Sequence, residues 1–165
     1  MDSFRPLFGI DKKEIKKTCI LVPLLTKGML DEFGVAKICR GKLYQAGQGD
    51  GFTLVVTGVG AGFVGDAVLY LKETGCEQVF LFGSCGLVKE TKGLSIGSLV
   101  SVVKASAFEG FSRLLLGKEK QPDIFYPDQG LAGKLDLPQV HCATVSSLKL
   151  EEDRFYSFES SGVDV

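Results

Sequence analysis

The sequence predicts an α/β fold in which parallel strands present glycine-rich loops at one edge of a mixed sheet. Two apolar runs, Phe52-Thr53-Leu54-Val55-Val56-Thr57 and Val79-Phe80-Leu81-Phe82, read as buried strands. Each ends in glycines: Gly58-Val59-Gly60-Ala61-Gly62 after the first and Gly83-Ser84-Cys85-Gly86 after the second. Between them, Phe63 to Thr74 reads as a helix with Phe63, Ala67, Leu69, Tyr70 and Leu71 on its apolar face and Gly75 as its stop. Such a strand-helix-strand unit is right-handed and parallel, so both loops fall at the carboxyl edge of the sheet, where open α/β folds bind ligands.

The remaining elements follow in order. Residues 1–17 form a polar arm or helix, rich in charge from Asp11 to Lys17 and without the apolar core of a signal peptide. Cys19 to Val22 is a short buried strand stopped by Pro23, and Thr26 to Phe33 a short helix ended by Gly34. Lys37 to Ala46 reads as a weaker strand that turns through Gly47-Gln48-Gly49-Asp50-Gly51 into the next, a hairpin. Beyond the second glycine loop, Leu94 to Lys104 reads as a long strand interrupted at Gly97. Gly117 to Pro138 is loop-rich, Val140 to Val145 a strand and Glu151 to Ser160 a polar helix. Gly162-Val163-Asp164-Val165 resembles the start of a further strand.

Composition narrows the partners. A net charge of -1 gives no electrostatic basis for a nucleic-acid or anionic-membrane partner. The longest apolar runs, such as Cys19 to Leu25, are too short to span a bilayer. Five cysteines without a Cys-x-x-Cys pair suit a reducing, cytoplasmic setting. His141 is the only histidine, which argues against a histidine-rich metal site and leaves little room for a Ser-His-Asp triad.

The glycine loops admit three readings. Gly60-Ala61-Gly62-Phe63-Val64-Gly65 fits the dinucleotide pattern G-x-G-x-x-G, but the next strand ends Leu81-Phe82-Gly83-Ser84 without the acidic residue that would hold a ribose. A serine nucleophile at Ser84 lacks the first glycine of G-x-S-x-G, where Phe82 stands. The third reading is a resemblance, carried by Val56-Thr57-Gly58-Val59-Gly60, Gly83-Ser84-Cys85-Gly86, Ile96-Gly97-Ser98-Leu99-Val100 and Arg40-Gly41-Lys42-Leu43. On these motifs, residues 18–165 resemble the purine nucleoside phosphorylase and methylthioadenosine/adenosylhomocysteine nucleosidase superfamily.

The resemblance implies a three-layer nucleoside phosphorylase-like fold, a central mixed sheet flanked by helices, incomplete at the C-terminus. It implies cleavage of the N-glycosidic bond of a purine-type nucleoside, a nucleoside or purine base with phosphate as partners, no cofactor and no metal, and a homo-oligomer. Ser84 matches the serine that helps hold phosphate or the nucleophilic water, and Gly58, Gly60, Gly83 and Cys85 would add backbone N–H contacts. Arg40 matches the arginine that reaches a neighbouring subunit's phosphate site.

Several matched positions depart from the family. Leu81 stands where the phosphorylases carry an arginine, and Pro23-Leu24-Leu25-Thr26-Lys27-Gly28 has no arginine at the second phosphate contact. Lys27 falls where the nucleosidases place a water-activating glutamate, and Leu150, with Phe155 nearby, where the purine-stacking aromatic is expected. The Met-Glu pair that binds ribose in the family, and the later acid, would follow Val165. The expectation is a chain with little or no glycosidic activity. The alternatives are a non-catalytic nucleoside-binding or assembly module and an NAD(P)-binding Rossmann domain.

Overall fold

A computed structural model describes residues 3–26, 28–88, 93–108, 124–145 and 156–165. The chain divides into two units, Met1–Ser84 and Cys85–Val165.

The first unit is a five-stranded mixed sheet with helices on both faces. Its strands are β1 (Thr18–Val22), β2 (Ile38–Arg40), β3 (Gln45–Gln48), β4 (Phe52–Val56) and β5 (Gln78–Leu81), in the spatial order β2-β3-β4-β1-β5. β1 is parallel to both β4 and β5, while β3 runs antiparallel to β4 and β2. The expected parallel strands are therefore present, but β1 lies between them, so the connection from β4 to β5 crosses over one strand.

The alternation of side chains along β1 and β4 builds the two layers. On one face Cys19, Leu21, Val55 and Ala46 pack with α1 (Phe4–Phe8) and with Ala67 and Leu71 of α3 (Ala61–Leu71). On the other, Val22, Leu54 and Val56 pack with Val35 and with Met29 and Leu30 of α2 (Met29–Glu32). The helix face expected to be buried is corrected by this packing. Phe63 and Leu69 of α3 are exposed, because the sheet meets α3 through Ala67 and Leu71.

The segment ahead of β1, expected as a polar arm or helix, supplies Phe4, Phe8, Ile10 and Ile15 to the core. The rings of Phe4 and Phe8 stack with centroids 4.2 Å apart, and Phe8 meets Tyr44 at 4.5 Å. The polar stretch forms a single 3₁₀ turn (Lys12–Glu14), in which the Asp11 amide donates to the Glu14 carboxylate at 2.7 Å.

This packing also breaks the strand expected from Lys37 to Ala46 into two. The amides of Lys42 and Tyr44 donate to the carbonyls of Pro6 and Leu7 at 2.9 and 3.0 Å, satisfying orphan acceptors at the end of α1. Gly41 makes the approach possible, since a Cβ there would collide with the Leu7 carbonyl.

The second unit holds β6 (Ser101–Phe108) between β7 (Ile124–Phe125), antiparallel to it, and β8 (Gln139–Val145), parallel to it. α4 (Gln129–Ala132) is capped by the Asp128 carboxylate, which accepts from the Leu131 amide at 2.9 Å, and residues 156–160 form α5. The long strand expected from Leu94 instead starts at Ser101, after a turn at Ile96 and Gly97. The expectation of a polar helix over 151–160 is met at 156–160, and its earlier half lies outside the described residues.

His141 fastens this unit. Its Nδ1 lies 2.9 Å from the Gly162 carbonyl, which can only accept, so Nδ1 carries the proton. Nε2 is then the acceptor for the Ser106 hydroxyl at 2.8 Å, inside the unit. The His141 amide donates to the Asp164 carboxylate at 2.8 Å, and the Ala143 amide to the Val165 carbonyl at 2.8 Å. The residues from Gly162 to Val165 are thereby tied alongside β8.

Two outcomes test these cores. Replacing His141 with Ala leaves the Ser106 hydroxyl and the Gly162 carbonyl unpaired, and should lower stability to urea by about 2–3 kcal/mol. Ser106→Ala should cost only about 1 kcal/mol, and equal losses would contradict the hydrogen-bond account. Tyr44, whose hydroxyl donates to the Phe63 carbonyl at 3.3 Å, has its pKa pushed up to about 12, chiefly by burial and then by Asp66. Its share of stability is intact below its unfolded pKa of about 10 and is lost as pH rises from there through 12. Tyr44→Phe should therefore cost about 1 kcal/mol at pH 8, and its urea midpoint should fall less than the parent's between pH 9 and 11. Parallel midpoint curves would refute the assignment.

Candidate functional site

Three parallel strands end at one edge of the first unit. Val22 of β1 is in register with Val56 of β4, and Leu21 with Leu81 of β5. The pairing continues one residue past the strands, through Thr57 N–H to the Val22 carbonyl at 3.0 Å and Phe82 N–H to the Leu21 carbonyl at 2.8 Å. Each strand then gives way to a loop for a local reason. Pro23 removes the N–H that β1 needs to continue. After β4, Gly58 (φ +85°) and Gly60 (φ +117°) adopt left-handed backbone that an L side chain strains to reach. That turn feeds α3, whose N-cap is Gly60.

A cleft of about 400 Å³ opens at this edge. Pro23, Leu24 and Leu25 of the β1 loop form one wall. Val56, Thr57, Gly58 and the α3 residue Phe63 form another, and Leu43 and Gln45 from the β2–β3 hairpin close the side. None of these nine side chains is charged. The rim is apolar and open to solvent, with Leu24 62%, Leu43 52% and Phe63 51% exposed. The Thr57 hydroxyl is committed to the Gly58 carbonyl at 3.0 Å, which leaves the Gln45 carboxamide as the polar side chain available to a ligand.

The residues expected to form the site are only partly gathered there. Gly58 lines the cleft and Gly60 follows it at the head of α3. Gly83 lies against Pro23, since an added Cβ would sit 3.4 Å from the proline Cγ. Ser84 is exposed and does not line the cleft. Arg40, the last residue of β2, is exposed and stands opposite Gln45, which in turn stands opposite Val56. Directly opposed residues share a face of the sheet, so Arg40 is the cation in register with the cleft's polar residue.

Cys85 falls in the second unit. It lines a smaller cavity there, about 110 Å³, with Leu87, Ile96 and Val165 among its neighbours, and burial raises its thiol pKa. Leu81, the last residue of β5, is exposed, whereas Lys27, Leu150 and Phe155 lie outside the described residues. Among the described residues no group of His, Cys, Asp and Glu could hold a metal ion, and no helix is long and apolar enough to cross a membrane.

Sequence reasoning missed Leu43, Gln45 and Phe63 as cleft residues. Phe63 had a local signal, directly after the glycine turn. Leu43 and Gln45 had none, because the pairing of β3 with β4 brings them in. The Ser106–His141 hydrogen bond joins residues 35 positions apart and was equally hidden.

Comparison with solved structures gives this architecture its relatives. AMP nucleosidase from Bacteroides thetaiotaomicron VPI-5482 matches with a TM-score of 0.78 and 15% identity, over 98% of this chain and 72% of that one. Uridine phosphorylase from Vibrio fischeri ES114 matches with a TM-score of 0.72 and 18% identity, over 97% of this chain and 72% of that one. MTA/SAH nucleosidase from Streptococcus pneumoniae, solved with 8-aminoadenine, matches with a TM-score of 0.66 and 19% identity, over 90% and 73%. No protein-family model and no curated protein matches the chain by sequence. At these identities the likeness is one of fold, and the chain has the nucleoside phosphorylase-like fold that its paired glycine motifs imply.

Proposed function

We propose that this protein binds a nucleoside or purine base in the carboxyl-edge cleft and cleaves the N-glycosidic bond slowly or not at all. The observation that carries the reading is the absence of charge among the nine lining side chains, in a fold shared with nucleosidases and phosphorylases. An apolar wall with one carboxamide suits a flat, neutral heterocycle, which buries its faces and keeps an edge hydrogen-bonded. Phe63 would stack on the ligand and Gln45 would read its edge.

The same lining is poorly suited to an acceptor dianion. Phosphate is held most strongly by bidentate guanidinium contacts, and the position matched to the phosphorylases' arginine is Leu81. Among the described residues of the first unit, the remaining sources of anion affinity are the N–H groups around Gly58, Gly60 and Gly83, the Ser84 hydroxyl, and Arg40. We assign Arg40 to the rim of the cleft, of its own chain or of a second copy in a homo-oligomer. With so few charges to stabilise an oxocarbenium-like sugar and its acceptor, transition-state stabilisation would be small.

The test pairs calorimetry with turnover. Adenosine, inosine, methylthioadenosine and adenine are titrated into the chain, and each nucleoside is assayed with and without phosphate. Binding that Phe63→Ala weakens about tenfold, with turnover that phosphate does not accelerate, is the expected result. Robust phosphate-dependent cleavage would refute the slow-or-inactive reading, and silence toward every ligand would refute nucleoside binding.

A further inference from the structure

Two walls of the cleft are tied together behind it by a side chain that does not line it. Tyr44 stands between Leu43 and Gln45, which close the side of the cleft, and is itself 1% exposed. Its hydroxyl donates to the Phe63 carbonyl at 3.3 Å, and the Phe63 side chain belongs to another wall.

The rest of Tyr44 is held firmly. Its amide donates to the Leu7 carbonyl at 3.0 Å, and its carbonyl accepts from the Gly41 amide at 2.8 Å. Its ring packs on Phe8, which also meets Tyr70 of α3 edge-on with centroids 5.9 Å apart. Ala67 and Leu71 of α3 share the same core cluster. Burial and then Asp66 push the phenol pKa up to about 12, so the hydroxyl keeps its proton and stays a donor at neutral pH.

The first turn of α3 needs such a tie. It follows the glycine turn, and its N-cap, Gly60, makes no side-chain capping bond. The acceptor that Ser, Thr or Asp would offer the first-turn amides is therefore missing. Phe63 lies in that turn, and its carbonyl receives the Tyr44 hydroxyl.

We propose that Tyr44 is a positioning residue for the cleft, bracing the first turn of α3 against the β2–β3 turn and so setting the gap between Phe63 and Gln45, a role that presumes the nucleoside-binding reading above. A base stacked on Phe63 can be read by Gln45 only within hydrogen-bond distance. If the gap drifts, one contact is kept at the expense of the other. Leu24, on the β1 loop, belongs to neither of the two braced elements.

Tyr44→Phe keeps the buried ring and removes the hydroxyl, so it tests the brace in a folded chain. Without ligand, NMR signals should move on both walls. One is the Val64 amide, whose nitrogen shares a peptide group with the accepting carbonyl, and the other is the Gln45 carboxamide. Adenosine affinity measured by calorimetry should fall about fivefold. That fall should shrink to less than about twofold in a Phe63→Ala background and persist in a Leu24→Ala background. A general loss of stability would weaken binding alike in both. Signals that move at Val64 but not at Gln45, an unchanged affinity, or an equal fall in the Phe63→Ala background would each overturn the brace. Silence of the parent chain toward adenosine, inosine, methylthioadenosine and adenine alike would instead refute nucleoside binding, and the ligand-free spectra then decide the brace.

Discussion

β1 is hydrogen-bonded along both of its edges, and the rest of the first unit depends on that constraint. Its neighbours β4 and β5 run parallel to it in a common register, so all three strands must end at the same edge. Cys19, Leu21 and Val22 are fully buried, so the strand cannot slip by one residue without exchanging the contents of the two helical layers. Pro23 then ends pairing immediately after Val22. The edge that binds ligands in open α/β folds is therefore fixed by β1, and the glycines only shape what happens beyond it.

The chemistry of that edge is decided by what stands there. Leu24, Leu25, Leu43 and Phe63 surround a cleft whose described lining residues carry no charge, and Arg40, opposite Gln45, stands at the exposed end of β2. Under the proposed reading, such a site would gain affinity from buried apolar area and a single carboxamide, and its described residues would offer little to stabilise developing charge. The architecture is shared with solved nucleosidases and phosphorylases, and under the proposed reading the first unit's cleft holds a neutral heterocycle rather than breaking a glycosidic bond.

What was legible in the sequence was what local patterning controls. β1, β4 and β5 announce themselves as apolar runs cut off by Pro23 or by glycines, and the paired glycine motifs point to the fold. Reading failed where a distant contact overrides the local pattern. The break at Gly41 exists because α1 sends its carbonyls there, and α1 is anchored by Phe4 and Phe8, whose i, i+4 spacing was outweighed by the charges that follow. Gln45 enters the cleft through strand register, and His141 finds Ser106 across two paired strands. Gly58 could be identified in advance because its role is a backbone role. Ser84 fits the family motif, yet it lies outside the cleft.

The central claim is that the ligand sits in the uncharged cleft at the ends of β1 and β4. Amide shift mapping of the ¹⁵N-labelled chain during titration with adenosine tests it most directly. Perturbations concentrated at Leu24–Leu25, Leu43–Gln45 and Thr57–Phe63, saturating together, are the predicted result. Saturable perturbations confined to the cavity around Cys85, Ile96 and Val165 would contradict it.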